Sequence, residues 1–154
     1  MAIRHILVER DSDAVWAVLS DPEKFSAWVP GTVRTAAGSG MWPHAGASLV
    51  FKVGVGRLTM RGRTVVRISE PPHRLELEAF LDPLGSARIA VRLIPWGEQT
   101  LVVIDEHPLR GPAAALHIAP MEVLLQLRHR RMLSRLAAAV EGASAVTRSA
   151  AGSR

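Results

Sequence analysis

Three residues of this chain could do chemistry in an apolar setting: Glu106, Arg128 and His129. The last two lie in the stretch LLQLRHRRMLSRL, Leu124 to Leu136. There a 3.6-residue repeat puts Leu125, Met132, Leu133 and Leu136 on one helix face, and Arg128 and His129 fall within that apolar stripe. Either the stripe borders a cavity, or Arg128 snorkels from its edge while His129 is an ordinary core histidine hydrogen-bonded to backbone. Glu106 stands in the strand-like run TLVVIDEH, whose parity is open. With Val102 and Ile104 inward, Glu106 is inward too and Asp105 and His107 face out; with Leu101 and Val103 inward the order reverses. The first parity is preferred here.

An inward Glu106 beside His129 would make a carboxylate–imidazole pair on the wall of an apolar space. Such a pair orients the ring and raises its pKa, which suits a general acid or base near neutral pH, while desolvation pulls the other way. His129 and Glu106 are therefore the catalytic candidates. Arg128 could instead neutralise Glu106 or grip a ligand carboxylate with two parallel hydrogen bonds. The plainer alternative is a buried salt bridge that ties helix to sheet and does no chemistry. The apolar wall that goes with these groups is Trp28, Phe51, Met60 and Met132. In SGMWPHAGA, Trp42 and His44 either form a flap over a cavity mouth and meet a ligand, or belong to a loop whose tryptophan packs on the outside.

Other chemistries find no support. The six histidines, at 5, 44, 73, 107, 117 and 129, show no short metal-ligand spacing, and there is no cysteine, so no metal site and no disulfide framework is expected. No nucleophile elbow, phosphate loop or dinucleotide fingerprint occurs, and no cofactor is expected. The net charge is +5, and 17 of the 19 basic residues are arginine, yet they form no basic block interleaved with aromatics. Tyrosine is absent, so nucleic acid is not an expected partner.

The elements that must position these residues follow from length and periodicity. The 154 residues, 48% hydrophobic and 21% charged, suit one compact domain over 1–142, with 143–154 a small, polar, disordered tail. No apolar run approaches the roughly 18 residues of a membrane span, and the start, MAIRHILVERD, turns charged too soon for a signal peptide. Cytoplasm is the default location, without stable membrane insertion.

AIRHILVER reads as a strand, and Asp11 or Ser12 caps a short helix with Val15, Trp16 and Leu19 on its apolar face. Asp21-Pro22 starts a second short helix that buries Phe25 and Trp28. From 32 to 107 the period is two, with turns at VGVG, EPPHR, DPLGS and PWGEQ, which predicts an antiparallel meander with one apolar and one charged face. The arginines and glutamates of the charged face pair across strands. The last strand runs from Thr100 to His107 into the loop PLRGP. One long helix, Met121 to about Glu141, ends at Gly142.

The opening DSDAVWAVLSDPEKFSAWVPG, with Val15-Trp16 in the first short helix and Asp21-Pro22 before the second, resembles the START-like, helix-grip (SRPBCC) superfamily. That superfamily includes polyketide cyclases, birch-allergen-like plant proteins and bacterial lipid-binding proteins. The middle section, FKVGVGRLTMRGRTVVRISEPPHRLELEA, is similar to subunit-G-like proteins associated with carbon monoxide dehydrogenase. The end, DEHPLRGPAAAL with LRHRRMLSRLAAAVEG, resembles an actinobacterial polyketide cyclase/dehydrase-like branch. The resemblance implies an α+β helix-grip fold: a curved seven-stranded antiparallel sheet around a long C-terminal helix, with two short helices after strand one. It also implies a hydrophobic tunnel between sheet and helix.

The expected function is binding or transport of a small hydrophobic or amphipathic molecule, lipid-like or polyketide-like. The contacts would come from Trp28, Trp42, Phe51, Met60, Glu106, Arg128, His129 and Met132. One alternative is a polyketide cyclase/dehydratase that uses His129 or Glu106, against which the missing tyrosine counts. A second is an accessory protein for a partner enzyme, and a homodimer is a further possibility.

Overall fold

The computed structural model describes residues 2–30, 32–55, 57–81, 85–110 and 130–142. Alternation of apolar and polar residues resolves into seven strands: β1 (Ala2–Val8), β2 (Thr32–Ala37), β3 (Ser48–Val55), β4 (Leu58–Glu70), β5 (Arg74–Leu81), β6 (Gly85–Trp96) and β7 (Gln99–Arg110). They form a single antiparallel sheet in the order β1-β7-β6-β5-β4-β3-β2. The first strand thus pairs with the last, which leaves β1 and β2 as the two edges. The expected α+β helix-grip architecture is what the chain adopts.

Two short helical segments link the edges, as the capping residues predict. In α1 (Ser12–Leu19) the Asp11 carboxylate accepts the Ala14 N–H at 2.9 Å. Asp21 does the same for Glu23 N–H at 2.9 Å, opening a 3-10 turn (Pro22–Lys24) that runs into α2 (Phe25–Trp28). Pro22 sits in the first turn, where a missing N–H costs nothing. The buried face of α1 is Val15, Val18 and Leu19, and Trp16 is only partly buried at its flank. Positions 15, 18 and 19 are the ones that coincide on a helix, which is why Val18 takes the place expected for Trp16.

A third helix, α3, is described over 130–142. It presents Met132, Leu133, Leu136, Ala137 and Val140, all buried, to the inner face of the sheet. The predicted stripe is therefore real from Met132 onward. Leu125, Arg128 and His129 lie outside the described residues, as does 143–154. Opposite α3 the core holds Val8, Leu75, Leu77, Ile89, Val91, Leu93, Val102 and Ile104. Each such side chain contributes roughly 1.5–3 kcal/mol through burial.

The open parity of β7 resolves with the even positions inward. Thr100, Val102 and Ile104 are fully buried and Glu106 is 6% exposed, while Asp105 and His107 lie on the other face. The strand is locked at its start: Thr100 Oγ1 donates to the Arg10 carbonyl at 2.8 Å and sits 3.3 Å from Ser12 Oγ. β7 also runs further than expected, to Arg110, through a proline. Its pairing with β1 stops at Glu106, so Pro108 faces a neighbour on one side only, opposite Ala87. A missing N–H is tolerated on such an edge.

Candidate functional site

The helical segments and β3 meet in an aromatic cluster centred on Phe25. Its ring lies 5.4 Å from Trp28, 6.1 Å from Trp42 and 6.0 Å from Phe51, centroid to centroid, the two tryptophans edge-on. Edge-on geometry brings the positive rim of one ring to the negative face of another. Trp42 is further tied by its indole Nε1, which donates to the Leu19 carbonyl at 3.2 Å.

The loop that carries Trp42 is stitched down at several points. Ser48 N–H donates to Ser39 O at 2.8 Å, Gly38 N–H to Ser48 O at 3.0 Å, and Gly46 N–H to Val66 O at 2.8 Å. The expectation that Trp42 packs on the outside is not met, because it packs against the core. His44 is exposed, its Nδ1 3.0 Å from Met41 O.

Beyond the cluster the inner face becomes a floor of small side chains. Strand register aligns Leu49, Thr64, Ala79 and Ala87 across β3 to β6, and Phe51, Gly62 and Leu81 in the next row. Met60, opposite Val53, begins the row after that. Ala79, Ala87, Leu81, Val53 and Met60 are only partly buried, although β4, β5 and β6 are central strands. At the other end of the same face Leu75, Val91 and Val102 are fully closed by α1 and α3. Among the described residues the cover is therefore tight at one end and incomplete at the other.

Glu106 enters this face from the far side. It lies on β7, four strand spacings from Phe51 on β3, or about 19 Å measured along the sheet. Its lateral neighbours are Ala2 and Ile89, and Arg4 occupies the next inward position of β1, opposite Ile104. A carboxylate this deep in apolar surroundings requires partners, and Glu106 has them.

The outer face is a different chemistry. Arg67 Nη2 meets Glu78 Oε2 at 2.7 Å, and Ser86 Oγ donates to Glu78 at 3.3 Å. Arg74 and Arg88 both pair with Glu76, and Arg88 also reaches Asp105 at 3.7 Å. Asp105 in turn sits 3.1 Å from His107 Nε2. The hydrogen bond and charge of Glu76 raise the Arg74 pKa above its ordinary value. This is the expected cross-strand pairing of a solvated face, and it stands apart from the inner one.

The sequence-selected residues thus divide. Trp28, Trp42 and Phe51 gather around Phe25, with Met60 one row along; Met132 is buried in the core from α3; Glu106 lies across the sheet; Arg128 and His129 lie outside the described residues. Sequence reasoning placed Phe25 in the core but missed its role as hub, because a ring 17 positions from Trp42 gives no local sign of meeting it. It also missed Thr64, Ala79 and Ala87. Their signal was available: small residues at inward positions of otherwise bulky strands. Among the described residues no group of three or more histidines, aspartates and glutamates is placed to hold a metal ion. No helix among them is long and apolar enough to cross a membrane.

The sequence profile of the family described as "Polyketide cyclase / dehydrase and lipid transport" matches residues 4–141. The chain belongs to this family. No curated protein matches it in sequence. Solved structures share the fold of this family member at low identity. Protein CV1439 from Chromobacterium violaceum superposes with a TM-score of 0.70 at 18% identity, covering 91% of this chain and 96% of the other. A protein from Arthrobacter aurescens gives 0.72 at 18% identity, over 91% and 85%. Ara h 8.0201 gives 0.73 at only 6% identity, over 92% and 97%. The START-like resemblance, its birch-allergen-like branch included, therefore holds at the level of fold.

Proposed function

We propose that this family member binds a small hydrophobic or amphipathic molecule, lipid-like or polyketide-like, in a cavity between the sheet and the C-terminal helix. The observation that carries the reading is the pair Ala79 and Ala87, small and partly uncovered on central strands, beside the buried Gly62 and Thr64 and walled by Phe51, Met60 and Leu81. A surface of that kind, apolar with a few polar groups at its margin, is what a ligand pocket requires. Glu106 supplies polarity at one margin. Arg128 and His129, four positions before Met132 and Leu133 in sequence, would supply more of it.

The test is to fill the floor. Wild-type protein is expected to enhance a hydrophobic fluorescent probe, and Ala79→Leu and Ala87→Leu are expected to abolish that enhancement while the urea unfolding midpoint stays within the range of a folded protein. Enhancement that persists in both folded variants would put the probe elsewhere and remove the reading.

The buried carboxylate on the inner face favours a second reading, a cyclase or dehydratase acting through His129 or Glu106. Binding and turnover separate these. His129→Gln is expected to spare affinity and abolish turnover if the imidazole is an acid or base; loss of both, or of neither, argues against the enzyme.

A further inference from the structure

The two edges of the sheet are built differently. Along β2 the pairing with β3 is broken by a bulge between Thr32 and Arg34, and the helical turn before β2 packs alongside it. A bulge and an exposed charge such as that of Arg34 are common means by which an edge strand refuses further partners. β1 has neither. It pairs with β7 at every position from Ala2 to Val8, with no register shift, proline or glycine. Its outward side chains are Ile3, 52% exposed, the exposed His5, and Leu7, 44% exposed. Its one charged side chain, Arg4, is on the inward face and is already engaged within its own chain. Among the described residues no strand pairs with the other side of β1.

The backbone N–H and C=O groups along that side are a template for one more strand. The side chains say which strand fits. Ile3 and Leu7 stand equally far from His5, the midpoint of β1. A two-fold axis through His5, perpendicular to the sheet, lays a second β1 antiparallel to the first. Ile3 then lies beside the partner's Leu7, Leu7 beside the partner's Ile3, and Arg4 beside the partner's Ile6. The whole strand pairs, and two apolar pairs form from side chains otherwise in water. An axis moved to Arg4 would set two guanidinium groups directly opposite each other, and one moved to Ile6 would leave only Arg4 to Val8 paired. Alternate residues of an antiparallel ladder exchange two hydrogen bonds each, so this one carries about six to eight, within the roughly 10 ± 5 of a typical interface. The ladder is narrow, below the roughly 1,200 Å² of a standard interface, so the association is weak and reversible.

We propose that β1 is a homodimer interface: two copies of this chain pair through it about a two-fold axis at His5 and join their seven-stranded sheets into one. The pairing engages neither Ala79 nor Ala87, so it stands or falls apart from the cavity reading.

The chain has no cysteine, so one introduced thiol reports on one position. His5→Cys is expected to form a disulfide-linked dimer under mild oxidation, because directly opposite residues of an antiparallel pair have Cα atoms about 4.5–5.5 Å apart, within disulfide reach. Val33→Cys, on the other edge and 67% exposed, is expected to cross-link at least tenfold more slowly. Sedimentation of wild type is expected to show a monomer–dimer equilibrium with a micromolar midpoint, which Ile3→Lys weakens at least tenfold. A lysine there sits opposite Asp105 of its own chain, which the fold is expected to tolerate; the cross-linking arm stands if it does not. Wild type that sediments as a monomer at millimolar concentration would overturn the inference. A dimer that a folded Ile3→Lys leaves unchanged, or cross-linking no faster in His5→Cys than in Val33→Cys, would overturn it too.

Discussion

The ring of Phe51 lies directly over Gly62 on the neighbouring strand, so close that a methyl group built on the glycine would collide with it. The backbone carbonyl of Phe80, 2.9 Å from the same point, closes the other side. A glycine in a strand interior weakens it unless something uses the space, and here an aromatic ring does.

Gly62→Ala must therefore push Phe51 toward Phe25 or move β4 off β5. The expected cost is about 1–3 kcal/mol by urea denaturation, with a parallel loss of probe binding at the cluster. Gly142→Ala is the control: nothing lies within 4 Å of the added atom, and stability is expected to stay within about 0.5 kcal/mol.

The helix–sheet seam gives a second expectation. Leu136 and Met132 are fully buried, whereas Leu7 on the outer face of β1 is 44% exposed. Replacing either of the first two by alanine is expected to cost about 2–5 kcal/mol, and Leu7→Ala less than about 0.5 kcal/mol. Urea titrations with an unchanged slope would check both values.

On the outer face the raised Arg74 pKa fixes the sign of a pH dependence. A cation whose folded pKa is raised contributes stability that is complete below its unfolded pKa and is lost only as pH rises through the folded value. For an arginine this lies far on the alkaline side of neutrality. The stability difference between wild type and Arg74→Gln is thus expected to be flat from neutral pH to about pH 10, and to shrink with added salt because Arg74 is partly exposed. A step in that difference within the window would show that another group governs it.

Trp42→Phe removes the N–H that reaches Leu19 and keeps the ring against Phe25. A loss of about 1 kcal/mol is expected, together with faster hydrogen exchange at Gly46, whose amide bonds Val66 O in the same loop.

Much of the fold was legible because local chemistry and global packing agree. Asp11 and Asp21 announce their helices, and the two-residue period gives β3 to β6, whereas β2 does not alternate. The parity of β7 was not decidable from its own residues, since both of its faces are apolar: Val103 on the outer face is also buried, between β1 and β6. Contacts of Thr100 with Arg10 and Ser12, about ninety residues away in sequence, settle it. The aromatic hub and the small-residue floor are likewise products of register, which no single strand contains. Arg128 and His129 were legible only as a spacing, four positions before Met132 and Leu133.

The most direct test of the binding account is native mass spectrometry of the protein purified from its own host, followed by organic extraction and identification of what is released. The account predicts a stoichiometric small molecule that is largely apolar. Protein that is empty as isolated, and that also fails to enhance a hydrophobic fluorescent probe, would contradict the account and turn the search toward a protein partner.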